Sequence, residues 1–326
     1  METSNQQSSR ARMTGWLMLL LAAAVAFLTA YLPLLLILSP ALWAYAGART
    51  KPYLLFLPAA VFAAGTFALN PLVVAAGLSG AAILAAALLY VLLTRGFSNS
   101  ETVLLLCGVF LVGLYTAVCL PGVLEGRGAF ADIQASIASL NNFYHSAAAQ
   151  MPQLNPDGVK VITEAMDAMY DAVPSSFVAV LCIFASVLGL ANLLFFRLFC
   201  RKQTQISLSP MRAFRDWTLP RSMTLGLFVM LIISLVMELA QSPFAEGFGV
   251  TANVLLAIPL FLQGISVVDF FIVRAQKNVT LVRTLTYVGL GVLYQFVLYP
   301  LVLVGCFDQI FRLRDRMRGM PPRAAA

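Results

Sequence analysis

Charge is scarce in this sequence and histidine nearly absent. Asp, Glu, Lys and Arg make up 11% of its 326 residues. Soluble domains carry about 25%, so a soluble globular fold is excluded. His145 is the single histidine, and no HExxH or other metal-spaced cluster occurs. No phosphate loop of the form GxxxxGK[ST] is present either. The five cysteines, Cys107, Cys119, Cys182, Cys200 and Cys306, form no CxxC pair, and they read as small apolar residues of membrane helices. No metal, cofactor or catalytic group is therefore expected, and the chain is not expected to be an enzyme. The net charge of +7 is not gathered into a basic patch with interleaved aromatics, so nucleic acid is not an expected partner.

What remains is long apolar runs. Residues 15–48, 53–93, 102–122, 174–196, 222–245, 249–273 and 284–307 contain only Glu238 and Asp269 as charged residues. About 20 apolar residues cross the hydrocarbon core as a helix. A backbone in lipid must satisfy its own hydrogen bonds, which selects helices. The fold class is thus all-α: a polytopic helical membrane protein with eight to ten transmembrane segments. Arg10 and Arg12 precede the first run as in a signal peptide, but that run continues to Pro40, well beyond an h-region of ~7–15 residues. It reads as an uncleaved membrane segment.

The basic residues flank the runs as the positive-inside rule requires. Residues 1–13 form a cytoplasmic tail. Residues 14–122 form an N-terminal bundle, with a helical hairpin turning near Tyr31-Leu32-Pro33 and a second pair broken at Asn70-Pro71. Residues 123–173 differ in kind, with Glu125, Asp132, Asp157, Glu164, Asp167 and Asp171 against Arg127 and Lys160. Their apolar residues recur at helical steps, as Phe130, Ile133, Ile137, Leu140, Tyr144 and as Val159, Ile162, Met166, Met169, Val173. Asn155 suits an N-cap and Pro156 the first helical position. This predicts an extracytoplasmic amphipathic helical hairpin, acting as a structural cap or as a lid or partner surface.

Residues 174–310 form the C-terminal membrane region. Its loop 197–221 holds six basic residues against Asp216 and is expected in the cytoplasm. A short elbow helix there places Met211, Phe214 and Trp217 on one face, with Phe214 and Trp217 at the interface. The basic tail 311–326 creates a conflict. A single crossing by 284–307 would export Arg312, Arg314, Arg316, Arg318 and Arg323. Either this block is a broken or re-entrant hairpin around Tyr299-Pro300, or an earlier block does not cross fully.

Polar groups at membrane depth are the candidate functional residues. Gln263 lies in mid-block beside Gly264, and Asn253 lies one helical stretch earlier; buried amides bridge helices or hold a ligand. Asp269 is close enough to Arg274 to pair with it at the inner interface, and Asp308 stands four residues before Arg312, a helix-compatible ion pair. Small residues at four-residue spacing, Ala22, Ala26, Ala30 and Gly77, Ala81, Ala85, form ridges for close helix packing. Gly77-Leu78-Ser79-Gly80 reads GxSG, as in intramembrane serine proteases, but that nucleophile needs a nearby histidine base, and His145 falls in the outer hairpin.

The C-terminal third carries a resemblance. Pro210, the run Phe214-Arg215-Asp216-Trp217-Thr218-Leu219-Pro220, Asn253, Gln263-Gly264, and Gly305-Cys306-Phe307-Asp308 with Arg312 and Arg314 resemble the YybS-like family of bacterial membrane proteins, a domain of unknown function. That family is similar to the S components of energy-coupling-factor transporters. The resemblance implies a bacterial inner-membrane location and a substrate-capture subunit for a small solute, with Gln263, Asn253 and Asp269 as polar lining. Its partners would be the lipid bilayer and an ATPase coupling module, with Ala22-Ala26-Ala30 similar to a docking ridge. The alternative is a structural or interaction protein of an envelope or division assembly.

Overall fold

The computed structural model describes residues 2–97, 99–149, 156–201, 213–242, 245–275 and 279–318. Every described element is helical. Six helices are long and apolar enough to cross a bilayer, or seven if one bent pair counts as a span. The expected eight to ten include two pieces that prove shorter, α2 (11 residues) and Met223–Leu239. By contact the chain divides into two compact units, Met1–Ser209 and Pro210–Ala326.

In the first unit α1 (Glu2–Tyr31) ends at the predicted turn. A 3-10 helix (Pro33–Ile37) leads into α2 (Ser39–Arg49). Pro33 cannot donate a hydrogen bond, which favours a helix start there. At ~1.5 Å per residue α2 is about 16 Å long. It is the core of the unit: Ser39 to Gly47 are all buried, and the Trp43 ring packs tilted against Phe62 at 5.5 Å. After a 3-10 turn (Pro52–Leu55), α3 (Phe56–Leu69) and α4 (Leu72–Thr94) are separated at Asn70-Pro71, as expected. The remaining helices are α5 (Asn99–Val118), α6 (Leu120–Leu124), α7 (Ala131–Ala149) and α8 (Pro156–Cys200).

The small-residue ridges sit at the closest crossings. Ala22 and Ala26 are fully buried, and a Cβ added to Gly65 of α3 would lie 2.8 Å from the Cβ of Ala30. The chain's own α3 thus covers the α1 ridge, which leaves it no free face for the docking role that the resemblance implied. Gly77 approaches the backbone of Gly113 and Ala117 on α5, and Ala81 meets Gly113. With no Cβ at Gly77 and Gly113, the two backbones come together along this line.

The break before α2 leaves backbone groups that lipid cannot satisfy. Asn192 on α8 meets them. Its amide donates to the Leu36 carbonyl at 3.0 Å, and its oxygen accepts from the Ala41 N–H at 3.0 Å. Asn192 is fully buried.

The hairpin is α7 against the start of α8. Asp167 accepts from Asn141 at 2.7 Å and lies 3.1 Å from His145, and Phe130 meets Phe177 edge to face at 5.2 Å. Helix α8 runs without a break from the hairpin into the membrane block, where a boundary at 173/174 was expected. Asn155 lies outside the described residues.

The second unit contains a 3-10 turn (Phe214–Asp216), α9 (Arg221–Leu239), α10 (Ala245–Ala275), α11 (Val279–Val292), α12 (Tyr294–Phe311) and α13 (Leu313–Met317). Of the expected elbow 197–221, residues 197–200 end α8 and Arg221 starts α9. Within 213–220 the only helical piece is that single 3-10 turn, followed by extended Trp217, and Met211 lies outside the described residues. The last apolar block does break, but at Leu293 with a bend of 115°. Pro300, the expected site, lies inside α12. Helix α10 crosses α12 at Gly264 and Gly305, where added Cβ atoms would fall 2.1 Å from Leu301 O and 2.0 Å from Leu260 O.

Candidate functional site

The polar residues of the second unit meet around Asp308. Its carboxylate accepts from Arg314 through Nη2 at 2.6 Å and Nε at 3.1 Å, and from the Arg314 backbone N–H at 3.3 Å. Gln263 Nε2 donates to the same carboxylate at 3.0 Å. Gln263 Oε1 accepts from the Leu219 N–H at 3.3 Å. Arg314 Nη1 reaches Ser266 Oγ at 2.8 Å and the Arg215 carbonyl at 2.9 Å. The Ser266 hydroxyl lies 2.6 Å from Phe214 O and 3.0 Å from Trp217 O. Asp308 and Arg314 are each 3% exposed, and Gln263 is fully enclosed.

Two local features build this network. Gln263 and Ser266 are three residues apart on α10 and share a face. Arg312 takes the left-handed conformation (φ 50°, ψ 49°), unusual for a residue with a Cβ. The chain turns there, and Arg314 swings back over the end of α12. Asp308 therefore pairs with Arg314, where the helix spacing pointed to Arg312. An expected interfacial carboxylate is in fact buried.

The network satisfies its own members. Both amide ends of Gln263 are engaged by protein groups, and the buried ion pair carries the additional hydrogen bonds such a pair requires. Its geometry is that of a clasp, holding residues 214–219 and α13 against α10 and α12.

Asp269 is also fully buried, but its partner is Arg283 of α11 at 2.6 Å and not Arg274. Its other oxygen, Oδ1, has no hydrogen-bond partner. Arg274 instead donates to the Met317 carbonyl at 3.2 Å. Asn253 is exposed on α10 and does not join Gln263. Glu238 is exposed as well. Phe214 is exposed and Trp217 half-buried; both lend their carbonyls to Ser266.

The first unit contains a cavity of about 310 Å³ at the far ends of α1 and α3. Thr29, Tyr31, Thr66 and Asn70 contribute its polar edge, and Pro33, Leu36, Phe62 and Leu78 are among its apolar walls. No charged residue lines it. Thr29 and Thr66 donate their hydroxyl protons to carbonyls of their own helices, at 2.7 Å to Val25 O and 2.9 Å to Ala63 O, which leaves their lone pairs as acceptors. Asn70 Nδ2 donates to Thr66 O at 3.2 Å. None of these residues was singled out as a site from sequence. The available signals were the turns expected near Tyr31-Leu32-Pro33 and at Asn70-Pro71, which meet at this cavity.

A family model described as "Predicted membrane protein (DUF2232)" matches residues 20–309. The chain belongs to this family of predicted membrane proteins. No curated protein and no solved structure matches it. The DUF2232 match takes in the cavity, Asn192, Gln263, Asp269 and Asp308, and stops before Arg314.

Proposed function

We propose that this chain is a non-catalytic, solute-binding subunit of a bacterial inner-membrane transporter, with its solute site in the cavity bounded by Thr29, Thr66 and Asn70. The observation that carries this reading is an uncharged concave site inside a membrane bundle. At about 310 Å³ it falls near the lower end of ligand pockets, roughly 300–1,000 Å³. Such a site suits a small neutral solute with hydroxyl or amide groups. Charge supports the orientation. Arg49 and Arg197 lie in the last turns of α2 and α8, Lys51 and Arg95 follow α2 and α4, all at the cavity-distal ends, and the acidic hairpin follows α5 at the cavity end. With the N-terminus inside, the cavity faces outward, the side from which an importer captures. Release inward would draw on a separate ATPase coupling module. This reading transfers the solute site from Gln263, which the clasp occupies, to the first unit.

The test is binding of a small-molecule extract to purified protein, with bound solutes identified by mass spectrometry. Asn70→Leu is expected to lower retention of the bound solute at least about tenfold, the worth of ~1.4 kcal/mol, with an unchanged melting temperature. Equal retention by the variant, or no retained solute, would overturn the site.

One observation favours the structural reading, an interaction protein of an envelope assembly. Helix α7 exposes Leu140, Phe143 and Tyr144 on an extramembrane hairpin. That reading predicts that deleting 128–170 abolishes capture of envelope proteins while Asn70→Leu has no effect.

A further inference from the structure

A second cavity, about 540 Å³, opens at the C-terminal end of α10. Arg215, Asp216, Phe270, Arg274, Met317 and Arg318 line it. Three guanidinium groups face a single carboxylate. Asp216 is bonded to Arg318 and lies 3.8 Å from Arg215 Nε. Arg318 also sits over the Phe270 ring at 4.9 Å, and Arg274 donates to Met317 O at 3.2 Å. Arg318 and Arg274 are hydrogen-bonded here, Arg215 only approaches Asp216, and these contacts use few of the five N–H groups that each guanidinium carries. The buried clasp contributes to this order. Arg314 holds the carbonyl of Arg215, and Ser266 that of Phe214, which fixes the turn bearing Arg215 and Asp216. The lining thus carries three guanidinium forks against one carboxylate, a net double positive charge, the chemistry that binds phosphate oxygens in pairs.

Its depth suggests the source of the phosphate. Helix α10 has 31 residues, about 46 Å at ~1.5 Å per residue, longer than the ~30 Å hydrocarbon core. Arg274, in its last turn, falls at the level of the headgroups. Phe270 and Met317 add an apolar wall beside the charges. Basic pockets at the cytoplasmic ends of membrane helices bind anionic headgroups. We propose that this cleft binds a phosphate group, presented by an anionic phospholipid of the adjacent leaflet or by a soluble phosphate ester.

The test titrates the full-length, delipidated protein with phosphatidylglycerol, phosphatidylcholine, glycerol 3-phosphate and inorganic phosphate, read by native mass spectrometry. Phosphatidylglycerol is expected to bind at least about tenfold tighter than phosphatidylcholine. Arg215→Gln and Arg274→Gln should each weaken it about tenfold, the scale of one charge-assisted contact. Arg316→Gln removes the same charge from an exposed position outside the cleft and should leave binding intact. If glycerol 3-phosphate or phosphate binds with the same dependence on Arg215 and Arg274 and the lipid does not, the site stands and its source is soluble. Absence of selective binding by every phosphate-bearing probe, or an equal loss in Arg316→Gln, would overturn the proposal. Arg215 and Arg274 are both exposed, so the variants are expected to fold, and their melting temperatures check this.

Discussion

The Asp308–Arg314 pair offers the sharpest test of the clasp. Asp308→Ala removes one carboxylate that accepts three contacts from Arg314 and one from Gln263. Arg314 is left 3% exposed, with only Ser266 Oγ and Arg215 O as partners. Removing one member of a buried ion pair costs about 3–5 kcal/mol, because the other charge stays buried and uncompensated. Arg314→Met should cost a comparable amount, since Asp308 then keeps only Gln263 and the backbone N–H of residue 314. The double variant Asp308→Ala/Arg314→Met removes both charges, and apolar replacement of a whole pair is often close to neutral. A coupling energy of at least about 2 kcal/mol is therefore expected from the double-mutant cycle. The assay is SDS titration of the protein in mixed micelles, followed by tryptophan fluorescence, which includes Trp217 beside Ser266. Loss below about 1 kcal/mol for Asp308→Ala, or additive single variants, would refute the argument that this pair is a buried, coupled lock.

Asn192→Leu orphans the Leu36 carbonyl and the Ala41 N–H at the break before α2, at roughly 1–2 kcal/mol each; the same titration should show about 2–4 kcal/mol lost. Gly305→Ala drives a Cβ to within 2.0 Å of Leu260 O and must separate α10 from α12. Its melting temperature should fall well below that of Gly289→Ala, whose Cβ meets nothing within 4 Å. In the hairpin, hydrogen bonds from Asn141 and His145 hold the Asp167 carboxyl below its ordinary value of about 3.8. A carboxyl lowered on folding stabilises above its unfolded value and loses that contribution as pH falls through its folded one. Hydrogen exchange of α7, corrected for intrinsic rate, should thus accelerate as pH falls from about 3.8 toward that lowered value. Equal protection at pH 5 and pH 2.5 would contradict the Asp167 anchor.

Local signals carried much of this fold. Pro33 and Asn70-Pro71 mark helix breaks that the fold adopts, whereas Pro300 stands inside α12 without ending it. The alternation of apolar and acidic segments marked the hairpin. Partnerships between distant residues were not legible. Asp269 was matched with Arg274 by proximity in sequence, but a buried carboxylate takes the cation that packing delivers, and α11 brings Arg283. Asp308 was matched with Arg312 by helical spacing, which assumed the helix continued; a left-handed residue at 312 ends it. Gln263 is fully enclosed, and its choice between helix bridge and ligand site depended on Asp308 and Leu219, 45 and 44 residues away. The Thr29–Asn70 cavity was hidden for the same reason. Its lining gathers the ends of α1 and α3 with Leu36 and Leu78, a grouping that hydropathy does not encode.

The central claim is an outward-facing solute cavity in the first unit. The most direct measurement is labelling of Asn70→Cys, in a chain with its five native cysteines changed to alanine, by a membrane-impermeant maleimide applied to intact cells. The account predicts labelling from outside, slowed by the solute that co-purifies with the wild-type protein, and no labelling of Arg95→Cys. Labelling of Arg95→Cys from outside with Asn70→Cys protected, or labelling of Asn70→Cys that no bound solute slows, would contradict it.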